Sequence, residues 1–244
     1  MLDRIGEDDG MAERPFEAAD LEALCRWDTP TICNALEVVA PARRGRGFTF
    51  KPFTAADPAL PPICGVARTG RIRAAAPSGR TREQDKAARL AWYEYVAEAD
   101  LPTVVVLEDL DETPGTGAFW GEVNSNVHKG LGALGCVTNG SFRDIDMLAP
   151  GFQILGVVNP SHAHVHVVDH GGEVSVHGMP CAHGDVVHAD RHGAVVIPAD
   201  AVRAVPAAID LLARREKVIL DMCKRSDFGI AALREALAQA DEIH

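Results

Sequence analysis

Apolar residues recur at three- and four-residue spacing through Phe16–Trp27, which predicts an amphipathic helix. Asp28-Thr29-Pro30 follows as an N-cap and a proline of the first turn, and it leads into a second helix through TICNALEVV. Residues 41–62 are rich in Arg, Gly and Pro without periodicity and predict a loop or irregular strands. Alternation over 63–74 predicts a strand, and the turn-prone Pro77-Ser78-Gly79 precedes a helix over 81–99. The β-branched run Thr103–Leu107 fits a strand buried on both faces, followed by a loop over 109–117. A helix–strand–turn unit occupies 121–148, where CVTNG ends the strand and Ser141-Phe142-Arg143-Asp144 opens a further helix. Residues 153–158, 162–168, 173–176 and 186–197 are β-rich, a long helix opens at Pro198-Ala199-Asp200 and runs to about Lys224, and a last helix covers about 228–240. Strands alternate with helices over the first two thirds and cluster in the last. This order predicts one α/β domain with a central mixed sheet.

The length of 244 residues suits one large domain, here expected over 16–244 with a loose arm at 1–15. Hydrophobic residues at 47% and charged residues at 24% are ordinary for a globular chain. A net charge of −11 argues against nucleic acid as a partner, since neutralising phosphates needs a basic face. The one basic concentration, Arg68–Arg82, is broken off by Glu83 and Asp85 and reads as a solvated face. No apolar run approaches the ~18 residues of a membrane span. The acidic, polar start is unlike a signal peptide, and the six scattered cysteines lack a CxxC pair. Together these point to a cytoplasmic protein with reduced thiols.

Most of the chemistry sits in WGEVNSNVHKGLGALGCVTNGSFRDIDML, residues 120–148. A helix opening at Gly121-Glu122 presents unpaired N–H groups to an anion, and Gly117 and Gly121 leave room for close approach. Arg143 is suited to fork a carboxylate, and Asp144 can give an oxygen to a hard cation such as magnesium, which often takes only one or two protein carboxylates. The plainer alternative is that both residues cap a helix and offset its dipole.

The run resembles the RraA-like family, which includes divalent-metal-dependent 4-hydroxy-4-methyl-2-oxoglutarate/4-carboxy-4-hydroxy-2-oxoadipate aldolases. Gly121-Glu122-Val123-Asn124 is similar to its Gly-Glu-type loop, and Asn139-Gly140-Ser141-Phe142-Arg143-Asp144 is similar to the Arg-Asp signature about twenty residues on. GDVVHADRHGAVVIP at 184–198 looks like its closing β-segment, Thr29–Leu36 like its N-terminal helix start, and Arg215-Glu216 like an acidic position in its late helix. Asn139, Met147 and Asn34 depart from the commoner family residues. The resemblance implies a swivelling β/β/α-like core and a trimer or hexamer with sites at subunit boundaries. It implies Mg²⁺ or Mn²⁺ at Asp144, and a 2-oxo acid carboxylate gripped by Arg143 and the backbone of Gly121, Glu122, Val123 and Asn124. Retro-aldol cleavage or oxaloacetate decarboxylation would pass through a metal-stabilised enolate, with Glu216 as candidate acid, reaching a neighbouring subunit. Some relatives instead regulate the ribonuclease E machinery by binding protein, so a non-catalytic regulator is the alternative.

His162, His164 and His166 alternate and would share one strand face, as zinc-binding HxH arrays do, yet no acidic or Cys ligand closes the set. They read as structural or interface residues, with a substrate-side role open to one of them. Lys129 raises a Schiff-base aldolase, but mid-helix it reads as an ordinary exposed lysine.

Overall fold

A computed structural model describes residues 14–244; the expected arm over 1–15 lies almost wholly outside them. The first half comprises α1 (Ala18–Leu24), α2 (Thr29–Val39), β1 (Thr54–Ala55), β2 (Ile63–Arg73), α3 (Arg82–Ala97), β3 (Thr103–Asp109), β4 (Ala118–Trp120) and α4 (Glu122–Gly130). Then come β5 (Ala133–Phe142), β6 (Gln153–Val158), β7 (His166–His170), β8 (Val174–Val176), β9 (Met179–Cys181), β10 (Val186–Asp190), β11 (Gly193–Ile197), α5 (Val205–Cys223) and α6 (Ile230–Asp241). The start signal read at Asp28-Thr29-Pro30 holds in detail, and α3 opens on a cap of its own. Asp28 caps α2 by accepting from Thr31 N–H, and Thr81 with Gln84 forms a capping box on α3.

A nine-stranded mixed sheet orders as β1-β6-β5-β3-β2-β10-β11, with β4 on β5 and β7 on β2. Strands β2, β3, β5 and β6 run parallel, as their crossovers require, and β1, β7, β10 and β11 add antiparallel edges. Alternation along β3 sends Val105 and Leu107 toward a core with Trp92 of α3 and Trp120. Val104 and Val106 face the opposite core with Val174 and Met179 of the β8–β9 hairpin. Both faces are covered, which is why TVVVL carries no polar alternation. A third core joins α1, α2 and α5 to β2, β10 and β11. The mixed α/β class expected from the element order is therefore the observed one.

Several local expectations change. Asn139-Gly140 is not a turn: β5 continues to Phe142. The Asn139 side chain accepts from Asp109 N–H at 2.7 Å and donates to Asp109 C=O at 2.9 Å, standing in for ladder bonds where β3 stops. Beyond that point β4 takes over the same side of β5, pairing Ala118 with Ser141 and Trp120 with Phe142. Arg143-Asp144 opens no α-helix, only a three-residue 3₁₀ turn at Ile145–Met147. The 162–168 strand shrinks to His166–His170, because Ala163 at φ 47° breaks the extension before it. Residues 186–197 form a hairpin rather than one strand. The long helix starts at Val205 with Pro206 in its first turn, after a turn closed by Ala201 N–H on Pro198 C=O.

Candidate functional site

The parallel strands β4 and β5 end side by side, so their following loops converge at the carboxyl edge of the sheet, where α/β proteins gather ligand sites. From β4 the chain passes through Gly121 directly into α4, whose first N–H groups lack intrahelical acceptors. From β5 it passes through Arg143 into Asp144, whose backbone is left-handed at φ 56° and ψ 40°. Such a conformation costs a non-glycine residue on the order of 1–3 kcal/mol, less for aspartate, and it turns the side chain back toward α4. The Asp144 Oδ2 atom accepts from Glu122 N–H at 3.3 Å and lies 3.5 Å from Arg143 Nε.

Gly121 does not leave open room. A Cβ added there would stand 2.6 Å from Asp144 Oδ2, so the absent side chain admits the carboxylate of the chain itself. Gly117 is needed in the same way, since its Cβ would lie 2.4 Å from the His162 carbonyl oxygen. The expectation that these glycines clear space for a ligand is corrected accordingly; they clear it for neighbouring protein atoms.

Arg143 and Asp144 are partly accessible, at 32% and 24% side-chain exposure, which leaves both able to meet a small ion or acid. They line a pocket of about 450 Å³ with Gly121, Glu122, Val123 and Asn124. Six of the seven predicted site residues thus come together. The seventh, Glu216, sits exposed on α5, which packs against α2 and α6, and it lines no part of this pocket. Within one chain it therefore stands apart from Asp144; the approach expected for it was from a neighbouring subunit.

Sequence reasoning missed the opposite wall, formed by Arg89 and Tyr93 of α3, Phe119 and His162. The Tyr93 hydroxyl donates to Asn124 Oδ1 at 2.7 Å, and burial pushes its pKa up against the lowering effect of nearby Arg89. His162 Nδ1 lies 3.0 Å from the Ala118 carbonyl, which makes that nitrogen the donor and leaves Nε2 as the acceptor. The signal for this wall was present as Arg82, Lys86, Arg89 and Tyr93 at helical spacing on one face of α3.

Beneath the pocket α4 is held rigidly. Trp92 Nε1 donates to His128 Nε2 at 2.9 Å, and His128 Nδ1 donates to the Asn124 carbonyl at 2.7 Å. Burial holds this imidazole neutral, its pKa lowered to about 4.

The donor set fits one kind of metal. Among the described residues no three His, Cys, Asp or Glu side chains converge as a metal cage, and the three histidines of 162–166 lie on a loop and a strand end rather than on one face. Zinc's three or four protein ligands are not offered there. Asp144, with Glu122 beside it in the pocket, matches a hard cation that keeps most of its waters.

A family model described as RraA-like, Aldolase/RraA, matches residues 29–196. A solved structure described as novel cellulases from microbes associated with the gut ecosystem superposes with a TM-score of 0.68 at 14% identity, covering 85% of this chain and 90% of that one. An uncharacterized protein from Pseudomonas syringae pv. tomato superposes at 0.67 with 18% identity, covering 93% and 99%. Streptomyces coelicolor RraAS2, described as an unusual member of the RNase ES inhibitor RraA protein family, superposes at 0.61 with 24% identity, covering 88% and 100%. At these identities the three structures share a fold with this chain and nothing more. No curated protein matches the sequence.

Proposed function

The chain belongs to the RraA-like family, whose model spans every residue of the Arg143–Asp144 pocket, and from that premise we propose that it is a divalent-metal-dependent carbon–carbon lyase acting on a 2-oxo acid. One observation carries the reading: Asp144 is held in a left-handed backbone with its carboxylate over the first N–H of α4 and beside Arg143. A strained aspartate at a pocket wall suggests use beyond capping a single 3₁₀ turn.

In this reading Asp144 and Glu122 hold Mg²⁺ or Mn²⁺, largely through water. When bound, the cation supplies positive charge against the negative charge that C–C cleavage leaves on the 2-oxo acid. Arg143 forks the substrate carboxylate, and the N–H groups of Val123 and Asn124 at the start of α4 complete its grip. His162 Nε2 is the atom of this chain best placed to hold a proton on the pocket wall, its ring fixed through Ala118. Glu216 joins only from a second copy, consistent with a trimer or hexamer.

The alternative, a regulator that binds a ribonuclease, would not require this pocket. Pyruvate release from 4-hydroxy-2-oxo acids and from oxaloacetate, with Mg²⁺, Mn²⁺ or excess EDTA, separates the two. Cation-dependent turnover is expected, and Arg143→Lys should lower kcat/KM by roughly 30- to 150-fold, or about 2–3 kcal/mol, because a point charge cannot fork a carboxylate. Full turnover in EDTA, or none with any cation, sinks the lyase reading.

A further inference from the structure

The basic stretch Arg68–Arg82 does not lie wholly on the surface: its first member, Arg68, is only 9% exposed. Arg68 sits in the middle of β2, opposite Val105 of β3, and its side chain reaches Tyr95 near the end of α3. There the guanidinium lies between two rings. Its Cζ is 5.1 Å from the centre of Tyr95, and Nη1 is 3.1 and 3.2 Å from the two ring nitrogens of His183, in the loop between β9 and β10. Near-equal distances to both nitrogens place Nη1 above the imidazole face rather than along either lone pair. Such contacts hold a cation over a ring, and neither brings a negative charge.

The cluster offers donors without acceptors. Arg68 Nε is buried and has no hydrogen-bond partner. Tyr95 Oη accepts from Thr69 N–H at 3.2 Å and lies 2.7 Å from His183 Nδ1. Among the described residues no carboxylate lies within 4.0 Å of an Arg68 nitrogen. Asp100, whose ionisation is favoured in part by Arg68, has both oxygens on Arg14, at 2.9 and 2.7 Å. Asp185, beside His183 in the loop, accepts from Ala182 N–H at 2.8 Å. Burial, and then the charges of Arg68 and Arg14, hold the His183 imidazole below its ordinary pKa against an opposite pull from Glu98, so the ring stays neutral. A guanidinium withdrawn from water ordinarily comes paired, because its lost hydration is otherwise uncompensated. An orphaned donor on such a group calls for an acceptor from outside the chain.

The approach is past His183. That residue is exposed, and a Cβ added at Gly184 beside it would meet nothing within 4 Å, so the surface there is open. Tyr95 is the fixed side, stacked on His170 with ring centres 4.7 Å apart.

We propose that Arg68 is the floor of an anion site separate from the Arg143–Asp144 pocket, and that it takes a compact oxyanion, a phosphate or carboxylate group, between Tyr95 and His183. A turn of the His183 side chain away from Nη1 gives the ligand the guanidinium edge, which forks either group. None of the three residues lines the Asp144 pocket, so the assignment stands whether or not the lyase reading does.

The probes are inorganic phosphate, sulfate and malonate, titrated calorimetrically into the intact protein at fixed ionic strength with no divalent cation present. At least one should bind saturably at one site per chain. Arg68→Gln should weaken that probe at least tenfold, whereas Arg143→Gln, at the other pocket, should leave the site in place. Phosphate and sulfate binding more tightly than malonate assigns a tetrahedral oxyanion, and the reverse order assigns a carboxylate. Arg68→Met keeps the reach of the side chain and removes its charge. In buffer free of the probes it should unfold at no lower urea concentration than the parent, because it removes an unpaired buried cation. Adding the probe should then raise the urea midpoint of the parent and leave that of Arg68→Met unmoved. The proposal is overturned if no probe binds saturably, if Arg68→Gln binds as the parent does, or if Arg143→Gln abolishes the site instead. An Arg68→Met protein that unfolds at lower urea without any probe also overturns it, since Arg68 would then be a structural residue satisfied by its two rings.

Discussion

Two aspartates in this molecule place a carboxylate on the first N–H of a helix, and they do it in opposite ways. Asp190, at the end of β10, accepts from Thr29 N–H of α2 at 3.0 Å and from the His192 backbone at 2.8 Å. It is 5% exposed; burial opposes its ionisation, yet the hydrogen bonds from Thr29 and His192 outweigh that and lower its pKa. Asp144 makes one long bond to α4, stays partly open and needs a left-handed backbone to make it. The first arrangement is saturated and regular and serves to clamp α2 to the sheet. The second leaves lone pairs, exposure and strain unspent, which is the condition of a group kept available for something outside the chain.

The sharpest way to break this comparison is to neutralise each carboxylate in turn. Asp144→Asn keeps the size and tolerates the left-handed backbone, so stability should change by less than about 0.5 kcal/mol, while cation-dependent turnover falls on the order of 10²–10³-fold. Asp190→Asn should reverse the pattern, costing about 2 kcal/mol in urea unfolding with activity per folded molecule kept. Equal losses of stability in the two variants would erase the distinction.

Acid sharpens the same contrast between buried and open groups. His128 is neutral when folded, with its pKa lowered from 6.5 to about 4 by burial, whereas the unfolded chain takes up the proton near 6.5. The unfolded state therefore binds more protons in that window. Stability is complete above pH 6.5 and falls as the pH drops toward 4, by up to about 3 kcal/mol. His188, lowered by burial as well, acts in the same direction. Urea midpoints measured from pH 7 to 4.5 should slope downward in the parent and less steeply in His128→Gln. Parallel slopes would remove His128 from the account.

The smallest effect concerns Gly121. Gly121→Ala sets a methyl group against Asp144 Oδ2 and should displace the carboxylate, lowering kcat/KM about tenfold, or 1.4 kcal/mol, with the melting temperature nearly unchanged. Unaltered turnover would mean that the seat of Asp144 over α4 is incidental.

Much of this was legible in the chain. Capping residues, period and β-branching placed α2, α3 and β3, and the Gly121–Asn124 and Arg143-Asp144 segments meet in space as the resemblance implied. What misled was local chemistry answering to distant partners. Asn139-Gly140 reads as a turn until its amide is seen bridging Asp109 on another strand. Alternating histidines read as a strand until Ala163 turns left-handed and the chain bends under Gly117. The basic stretch Arg68–Arg82 reads as a solvated face, and its last member, Arg82, is exposed on α3 at the edge of a cleft whose other side is formed by residues 162–167.

The two hydrogen bonds that pin α3 to α4, from Trp92 to His128 and from Tyr93 to Asn124, also act as a fixed gauge. One wall of the cleft is thereby bolted to the floor of the pocket, and spreading them apart would strand a buried indole N–H, at roughly 1–3 kcal/mol. On the lyase reading proposed above, a ligand that fits only by parting these two walls would meet that cost, so the dimension the fold holds fixed is the width of the site.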